Sequence, residues 1–303
     1  MKKCTIIYNP QSGKKYSKPF LNEFEGILKD NNYETKIIYT EYKGHALELA
    51  ENIEKCDLVI SVGGDGTFNE VVSGNLKREK PLVLAHIPLG TTNDIGNMFG
   101  YGTNPITNLK DLMNGKKRNI DICMFNDKPF VYVAGFGKFM NVPYQTPRYL
   151  KKNFGYFGYL IEGVKSFFQK TKLYDLEYEV NGEVYKGLYS FILISNANRI
   201  AGINDFYKDV KLDDNKFEIL FCNIRKRLDI IKSLIMAKTS NITKVSGFDF
   251  YKTDYIRIKF KGRMKRSWCL DGEELETSKR EFIITVRKNV EIMMPDKDSK
   301  LFK

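Results

Sequence analysis

Apolar and polar positions follow two different rhythms along the chain, and the change between them falls near residue 125. Thr5-Ile6-Ile7-Tyr8 predicts a first buried strand, and Phe20, Leu21, Phe24, Ile27 and Leu28 then recur at helical spacing. Lys36-Ile37-Ile38-Tyr39 predicts a second strand. Ala46, Leu49, Ala50 and Ile53 share one face of a helix over 45–53. Asp57 to Val62 predicts a third strand, Phe68, Val71 and Val72 a further helix, and Pro81 to Ile87 a fourth strand. Repeated strand–helix alternation predicts a mostly parallel, doubly wound sheet with helices on both faces, an α/β domain over residues 1–125.

Beyond residue 125 strand-like segments dominate: 129–134, 173–180, 184–195, 216–223, 254–260 and 281–286. Turn pairs such as Asn181-Gly182 bound several of them, which predicts antiparallel pairing in a β-rich second domain over 126–290. Two stretches interrupt it with helical spacing, Phe157 to Phe168 and Leu228 to Ile235. Residues 291–303 form a C-terminal segment expected to pack back on the first domain.

Composition sharpens this picture in a few places. The chain has 303 residues, 42% of them hydrophobic, which is long for one core and comfortable for two. Its 21 Phe and 18 Tyr exclude a disordered chain. The net charge of +12 suits nucleic acid, an anionic membrane surface or phosphorylated ligands, and equally a lysine-rich solvated surface. No tight basic run marks a nucleic-acid tail, so no nucleic-acid partner is expected. Cys4, Cys56, Cys123, Cys222 and Cys269 are odd in number and scattered, which argues against a disulfide framework and for reduced thiols in the cytoplasm. His45 and His86 are too few for a histidine-rich metal site. The apolar run after Met1-Lys2-Lys3 ends at Asn9-Pro10, too early for a signal peptide. No stretch of about 18 apolar residues predicts a membrane span, so any lipid substrate is met from the water side.

The strongest chemical signal is Gly63-Gly64-Asp65-Gly66-Thr67, placed where a buried strand gives way to a helix. Glycines there let the backbone approach an anion, and the helix N-terminus offers free N–H groups to phosphate oxygens. Asp65 inside such a loop makes sense with a divalent cation between carboxylate and phosphate. An ordinary tight turn would use the same glycines. Three further strand ends add weight: Asn9-Pro10-Gln11-Ser12-Gly13 after the first strand, Thr40 after the second, and Pro88-Leu89-Gly90-Thr91-Thr92-Asn93-Asp94 after the fourth. Ligands of open α/β sheets bind at these carboxyl ends. Neither the P-loop nor the dinucleotide fingerprint matches the spacing.

In order and spacing, the Asn-Pro-x-Ser-Gly, Gly-Gly-Asp-Gly-Thr and Pro-x-Gly-Thr-x-Asn-Asp motifs resemble the catalytic domain of the diacylglycerol/sphingosine kinase superfamily, and most of all its soluble bacterial diacylglycerol kinases. The likeness continues through Tyr144-Gln145-Thr146-Pro147, Lys151 and Gly155, Lys211 to Phe217, and Leu270-Asp271-Gly272-Glu273. It implies a nucleotide-binding α/β domain, a β-sandwich-like second domain and an active site in the cleft between them. It implies ATP as co-substrate, held by Asn9, Pro10, Gln11, Ser12, Gly13, Thr40, Gly63, Gly64, Asp65, Gly66, Thr67, Phe68, Asn69 and Thr91. A catalytic Mg²⁺ would be held, largely through water, by Asp65, Asp94 and Asp121. Asp121 alternates with Ile120 and Ile122, a pattern that a solvated strand face would also give. A second, structural Mg²⁺ would use the Asp214 carboxylate and the carbonyls of Lys211 and Lys216, with Asn215 where the family has Gly.

Phosphorylating an alcohol needs a base within reach of its hydroxyl and neutralisation of the γ-phosphoryl charge. The resemblance points to Asp271 or Glu273 as that base, although Asp-Gly is also a common turn pair. The implied product from diacylglycerol is phosphatidic acid. Sphingosine, ceramide and phosphatidylglycerol kinases share the likeness, so the lipid stays open. Aromatic and basic residues between 144 and 168, among them Tyr149, Phe154, Arg148 and Lys152, suit peripheral contact with an anionic membrane, and equally a packed helix. NAD kinases and phosphofructokinases also carry Gly-Gly-Asp-Gly, so a soluble acceptor is a rival reading. A non-catalytic lipid- or nucleotide-binding protein is another, disfavoured by so many acids at the motifs. A homodimer is compatible with the sequence.

Overall fold

The computed structural model describes residues 1–13, 18–54, 56–138, 171–200, 203–204, 206–207, 209–226, 228–229, 233, 245–262, 265–297 and 299–303. Both predicted helical interruptions of the second domain, and the candidate membrane-contact residues 144–168, fall outside them wholly or in large part. The chain divides into two compact units: Met1–Ile120 with Lys288–Leu301 and Lys303, and Asp121–Arg287 with Phe302. The division falls inside two strands, five residues before the boundary expected at 125 and three before that expected at 290.

The first unit follows the predicted alternation: β1 (Lys2–Tyr8), α1 (Lys18–Asp30), β2 (Tyr33–Tyr39), α2 (His45–Asn52), β3 (Leu58–Gly63), α3 (Asp65–Leu76), β4 (Leu84–Pro88), α4 (Asp94–Met98), α5 (Pro105–Met113) and the start of β5 (Lys116–Phe125). Strand order is β2-β1-β3-β4, all parallel. β3 and β4 are buried at every residue, as parallel strands covered on both faces must be. Glu70 of α3 accepts hydrogen bonds from the Gly44 and Ala46 amides at 2.9 and 3.2 Å, so α3 supplies the cap that α2 lacks from its own sequence.

The second unit is antiparallel. It continues with β6 (Lys128–Phe130), β7 (Val133–Gly137), β8 (Tyr174–Val180), β9 (Glu183–Tyr189), β10 (Phe191–Ser195), β11 (Arg199–Ile200), β12 (Ile203–Asn204), β13 (Phe217–Cys222), β14 (Phe248–Thr253), β15 (Tyr255–Phe260), β16 (Arg266–Leu270), β17 (Glu273–Thr277) and β18 (Glu281–Met294), whose end completes the first unit by pairing Ile292 with Leu84. One layer orders β14-β13-β10-β7-β16-β17; the other runs β18-β15-β8-β9. Their inner faces share an aromatic core of Phe125, Phe136, Tyr178, Phe221, Phe260, Trp268 and Phe282. β15 shows the cause in its alternation, with Ile256, Ile258 and Phe260 buried and Tyr255, Arg257 and Lys259 exposed.

The single strand expected over 184–195 is two. β9 pairs with β8 in one layer and β10 with β13 and β7 in the other, and the chain changes layers at Ser190, whose N–H and hydroxyl both donate to the Cys222 carbonyl. The sequence conceals such a break, because periodicity carries no record of which sheet a residue joins. Asn181-Gly182 forms the expected hairpin turn, both residues at positive φ (52° and 80°).

His86, fully enclosed in β4, packs 4.8 Å from the Phe68 ring and sets Nδ1 3.3 Å from the Ser61 carbonyl. Burial pulls its pKa down to about 3, against a partial counter-effect of that carbonyl. The native state therefore keeps a neutral ring where the unfolded chain takes a proton, and stability is lost as pH falls from about 6.5 toward about 3. Urea denaturation across this window should show that loss, and His86→Leu should flatten it.

Candidate active site

Three loops of the first unit meet at the carboxyl ends of β1, β3 and β4. The Asn9 side chain organises the first: its Oδ1 accepts the Gln11 N–H at 2.9 Å and its Nδ2 donates to Thr67 Oγ1 at 2.9 Å. Ser12 Oγ accepts the Gly64 N–H at 3.2 Å, and the Leu89 N–H donates to the Gly63 carbonyl at 2.6 Å. The approach is closer than side chains allow. A Cβ on Gly90 would lie 2.9 Å from Gly64 Cα, and one on Gly13, at φ +61°, would lie 1.8 Å from the Leu89 carbonyl oxygen. Asn9, Ser12, Gly13, Gly63, Gly64, Thr67 and the loop of Thr91 are thus brought together. Thr40 follows β2 and donates its N–H to Tyr8 beside them.

Asp65 opens α3, and its carboxylate reaches across to α4. Oδ2 accepts the Asp94 N–H at 2.9 Å and Oδ1 the Ile95 N–H at 3.2 Å. The acid therefore caps the helix that carries Asp94, and its carboxylate is bound to the backbone N–H of the residue it is predicted to work with. Asn93 makes the turn into α4 at φ 50°, its Nδ2 donating to the Gly90 carbonyl at 2.9 Å. Phe68 does not offer its ring to this site: it is fully buried between His86 and Phe99, so only its backbone could serve a ligand. Asn69 accepts from Ser73 at 3.1 Å on the next turn of α3.

The other predicted acids lie in the second unit. Asp271 and Gly272 form the two-residue turn between β16 and β17, both at positive φ (47° and 87°). The Asp271 carboxylate turns inward and accepts three backbone N–H groups: Val131 at 2.6 Å, Tyr132 at 3.1 Å and Val133 at 2.8 Å. Turn and functional acid were competing readings of this pair; here the turn is real and its acid is bound to the backbone. Glu273 stands exposed at the head of β17.

Asp121, 3% exposed, meets the Lys211–Phe217 turn. Its Oδ2 accepts the Asn215 N–H at 2.5 Å, its N–H donates to Leu212 at 2.7 Å, and Asn196 Nδ2 donates to its carbonyl at 2.8 Å. Asn215 takes the left-handed conformation, φ 62°, that a family glycine would take. A structural Mg²⁺ does not fit the residues around this turn. Asp214 Oδ2 lies 2.8 Å from the Lys252 ammonium, and Oδ1 accepts the Lys216 N–H at 3.1 Å. Lys211 sends its own ammonium to the Phe302 carbonyl at 2.9 Å. Among the described residues, no group of three or more His, Cys, Asp or Glu side chains is arranged to hold a metal ion directly.

Sequence reasoning passed over Glu218 and Lys252. Burial pushes the Glu218 carboxyl up to about 7, against the pull of the Lys252 ammonium 3.2 Å away. A glutamate inside the apolar run Phe217-Glu218-Ile219-Leu220 was the available signal; its lysine partner depends on strand register.

With the geometry in place, comparison with known proteins gives a consistent result. The family profile of the diacylglycerol kinase catalytic domain matches residues 3–125. A diacylglycerol kinase of Bacillus subtilis (strain 168) is 28% identical over 298 residues, covering 97% of each chain. That of Staphylococcus saprophyticus is 30% identical over 297 residues, covering 97% of this chain and 96% of its own. A crystal structure of a diacylglycerol kinase from Bacillus anthracis str. Sterne shares the fold with a TM-score of 0.76 at 22% identity, covering 99% of this chain and 98% of that one. A second structure from the same organism reaches 0.81 at 23% identity, covering 99% and 96%.

Two substitutions separate close approach from mere glycine content. Gly13→Ala drives a methyl into the Leu89 carbonyl and should lower both the melting temperature and the affinity for a non-hydrolysable ATP analogue. Gly66→Ala meets nothing within 4 Å and sits in α3, so its melting temperature should stay at or slightly above wild type. Asp65→Ala should cost about 1–2 kcal/mol through the lost α4 cap as well as abolishing turnover; chemical denaturation and a turnover assay check the two effects separately.

Proposed function

We propose that this chain, which belongs to the diacylglycerol kinase family, transfers the γ-phosphoryl group of ATP to the hydroxyl of diacylglycerol, giving phosphatidic acid and ADP. The observation that carries this reading is the convergence of the three strand-end loops with Asp65 pinned to the start of α4. At the N-terminus of α3 the backbone N–H groups of Asp65 and Gly66 are the natural donors to phosphate oxygens, those of Gly64 and Thr67 being given to Ser12 Oγ and the Gly64 carbonyl. The reading assigns the nucleotide to the doubly wound first unit and the lipid to the β-rich second.

Asp65 and Asp94 fit a hydrated Mg²⁺, because carboxylates already accepting or flanking backbone N–H bonds meet an ion through its water shell. Such an ion would neutralise charge on the transferring phosphate oxygens. In this reading Asp121, whose Oδ2 also accepts a backbone N–H, is the acid of the second unit suited to the same role.

In the transfer, the lipid hydroxyl oxygen forms a bond to the γ-phosphorus, the bond from that phosphorus to the β–γ bridging oxygen breaks, and the hydroxyl proton passes to a carboxylate. Of the two candidate bases the reading favours Glu273. Asp271 has its oxygens engaged by three backbone amides, two of them in buried bonds, which suits an acid that fixes the β16–β17 turn and so aims Glu273. Glu273, exposed at the strand head, suits proton acceptance from an entering substrate.

The acceptor reaches the protein from a membrane surface in this reading, by peripheral contact: no described helix is long and apolar enough to cross one. Labelled ATP with Mg²⁺ and mixed micelles carrying diacylglycerol, sphingosine or phosphatidylglycerol, with NAD in parallel, should place label in phosphatidic acid. Label in another lipid moves the substrate and keeps the chemistry, whereas label in NADP alone sinks the lipid reading. Glu273→Gln should lower kcat by at least 10²-fold, as expected for loss of a general base, with the melting temperature unchanged. Asp271→Ala should lower the melting temperature first, since it strands three backbone N–H groups, two of them buried.

A further inference from the structure

Ser195, Glu218 and Lys252 stand in one row across β10, β13 and β14: Ser195 is opposite Glu218, and Glu218 is opposite Lys252. Directly opposed residues project to the same face of a sheet. Glu218 is 1% exposed, and among the described residues its Oε2 finds no hydrogen-bond partner. The Lys252 ammonium closes the row. It lies 3.2 Å from Glu218 Oε1 and 2.8 Å from Asp214 Oδ2, and it donates to the Asp209 carbonyl at 3.0 Å.

This constellation has the form of a cation site whose cation is a side chain. Two carboxylates and a backbone carbonyl converge on one positive charge, the donor set a divalent ion would take. An ion at Asp214 Oδ2 would have to displace the ammonium already there. The turn that Lys252 holds is the one that grips Asp121: Asn215, the residue after Asp214, donates its N–H to Asp121 Oδ2, and Leu212 accepts from the Asp121 N–H.

We propose that Lys252 is the built-in cation of the Lys211–Phe217 turn, so that the second unit needs no divalent ion there, and that through this turn it is a positioning residue for Asp121. The stability half stands without any assumption about the reaction. The effect on Asp121 rests on the phosphoryl-transfer reading. Without Lys252, Asp214 and the buried Glu218 face each other uncompensated, and the turn either loosens or recruits an external ion.

Thermal melting without nucleotide or lipid tests the first half. Wild type should melt at the same temperature in millimolar Mg²⁺ and in EDTA. Lys252→Met should melt several degrees lower in EDTA, with part of the loss returned by millimolar Mg²⁺ or Ca²⁺; Lys252→Arg should stay close to wild type. A wild-type melting temperature that falls in EDTA overturns the proposal, and that arm decides even if Lys252→Met does not fold. Phosphoryl transfer below the melting range tests the second half. Lys252→Met should raise the Mg²⁺ concentration for half-maximal rate several-fold. An unchanged Mg²⁺ dependence would leave Lys252 with a structural role only and overturn the positioning role.

Discussion

The first unit depends on backbones passing closer than side chains permit. Gly64 beside Gly90, and Gly13 beside the Leu89 carbonyl, hold three strand-end loops in one cluster. From that contact the rest follows in order. Leu89 donates to Gly63, Asn93 ties back to Gly90, and the chain enters α4 at the spot where Asp65 can accept the Asp94 and Ile95 amides. A methyl at Gly90 or Gly13 would part the loops and take Asp65 away from α4. The same close passage sets the loops beside the N-terminus of α3, where the proposed phosphate site lies.

The acids show how one residue type divides its labour by surroundings. Asp65 caps a helix, Asp271 fills a nest of three amides, Asp121 clamps a turn, and Asp214 pairs with a lysine. Each is held by backbone or charge, as carboxylates removed from water must be. Glu273 differs in standing exposed at a strand head. That exposure is why the proposed reading gives the hydroxyl proton to Glu273.

The alternating first half of the fold was legible because parallel strands and amphipathic helices write distinct periods: β1 to β4 and α1 to α3 appear within a few residues of expectation. The loop cluster was legible because its glycines and asparagines are needed locally. The layer change at Ser190 was not, since a strand-like segment reads alike whether it serves one sheet or two. Lys252 was hidden for a related reason: it lies 38 residues from Asp214 in sequence and meets it only through the register of β13 and β14. At that turn, where the family resemblance implied an ion, the Lys252 ammonium lies 2.8 Å from Asp214 Oδ2. Phe68 reads as part of a binding motif, but its position in α3 turns the ring into the core.

The central claim is that the converging loops of the first unit hold the nucleotide phosphates through backbone N–H groups. Amide chemical shifts of the isotopically labelled protein, followed while a non-hydrolysable ATP analogue is added with Mg²⁺, test it most directly. The account predicts the largest, saturable shifts at Asp65 and Gly66, with smaller ones at Ser12, Gly64, Thr67 and Gly90. Saturable binding that leaves these amides unmoved would contradict it.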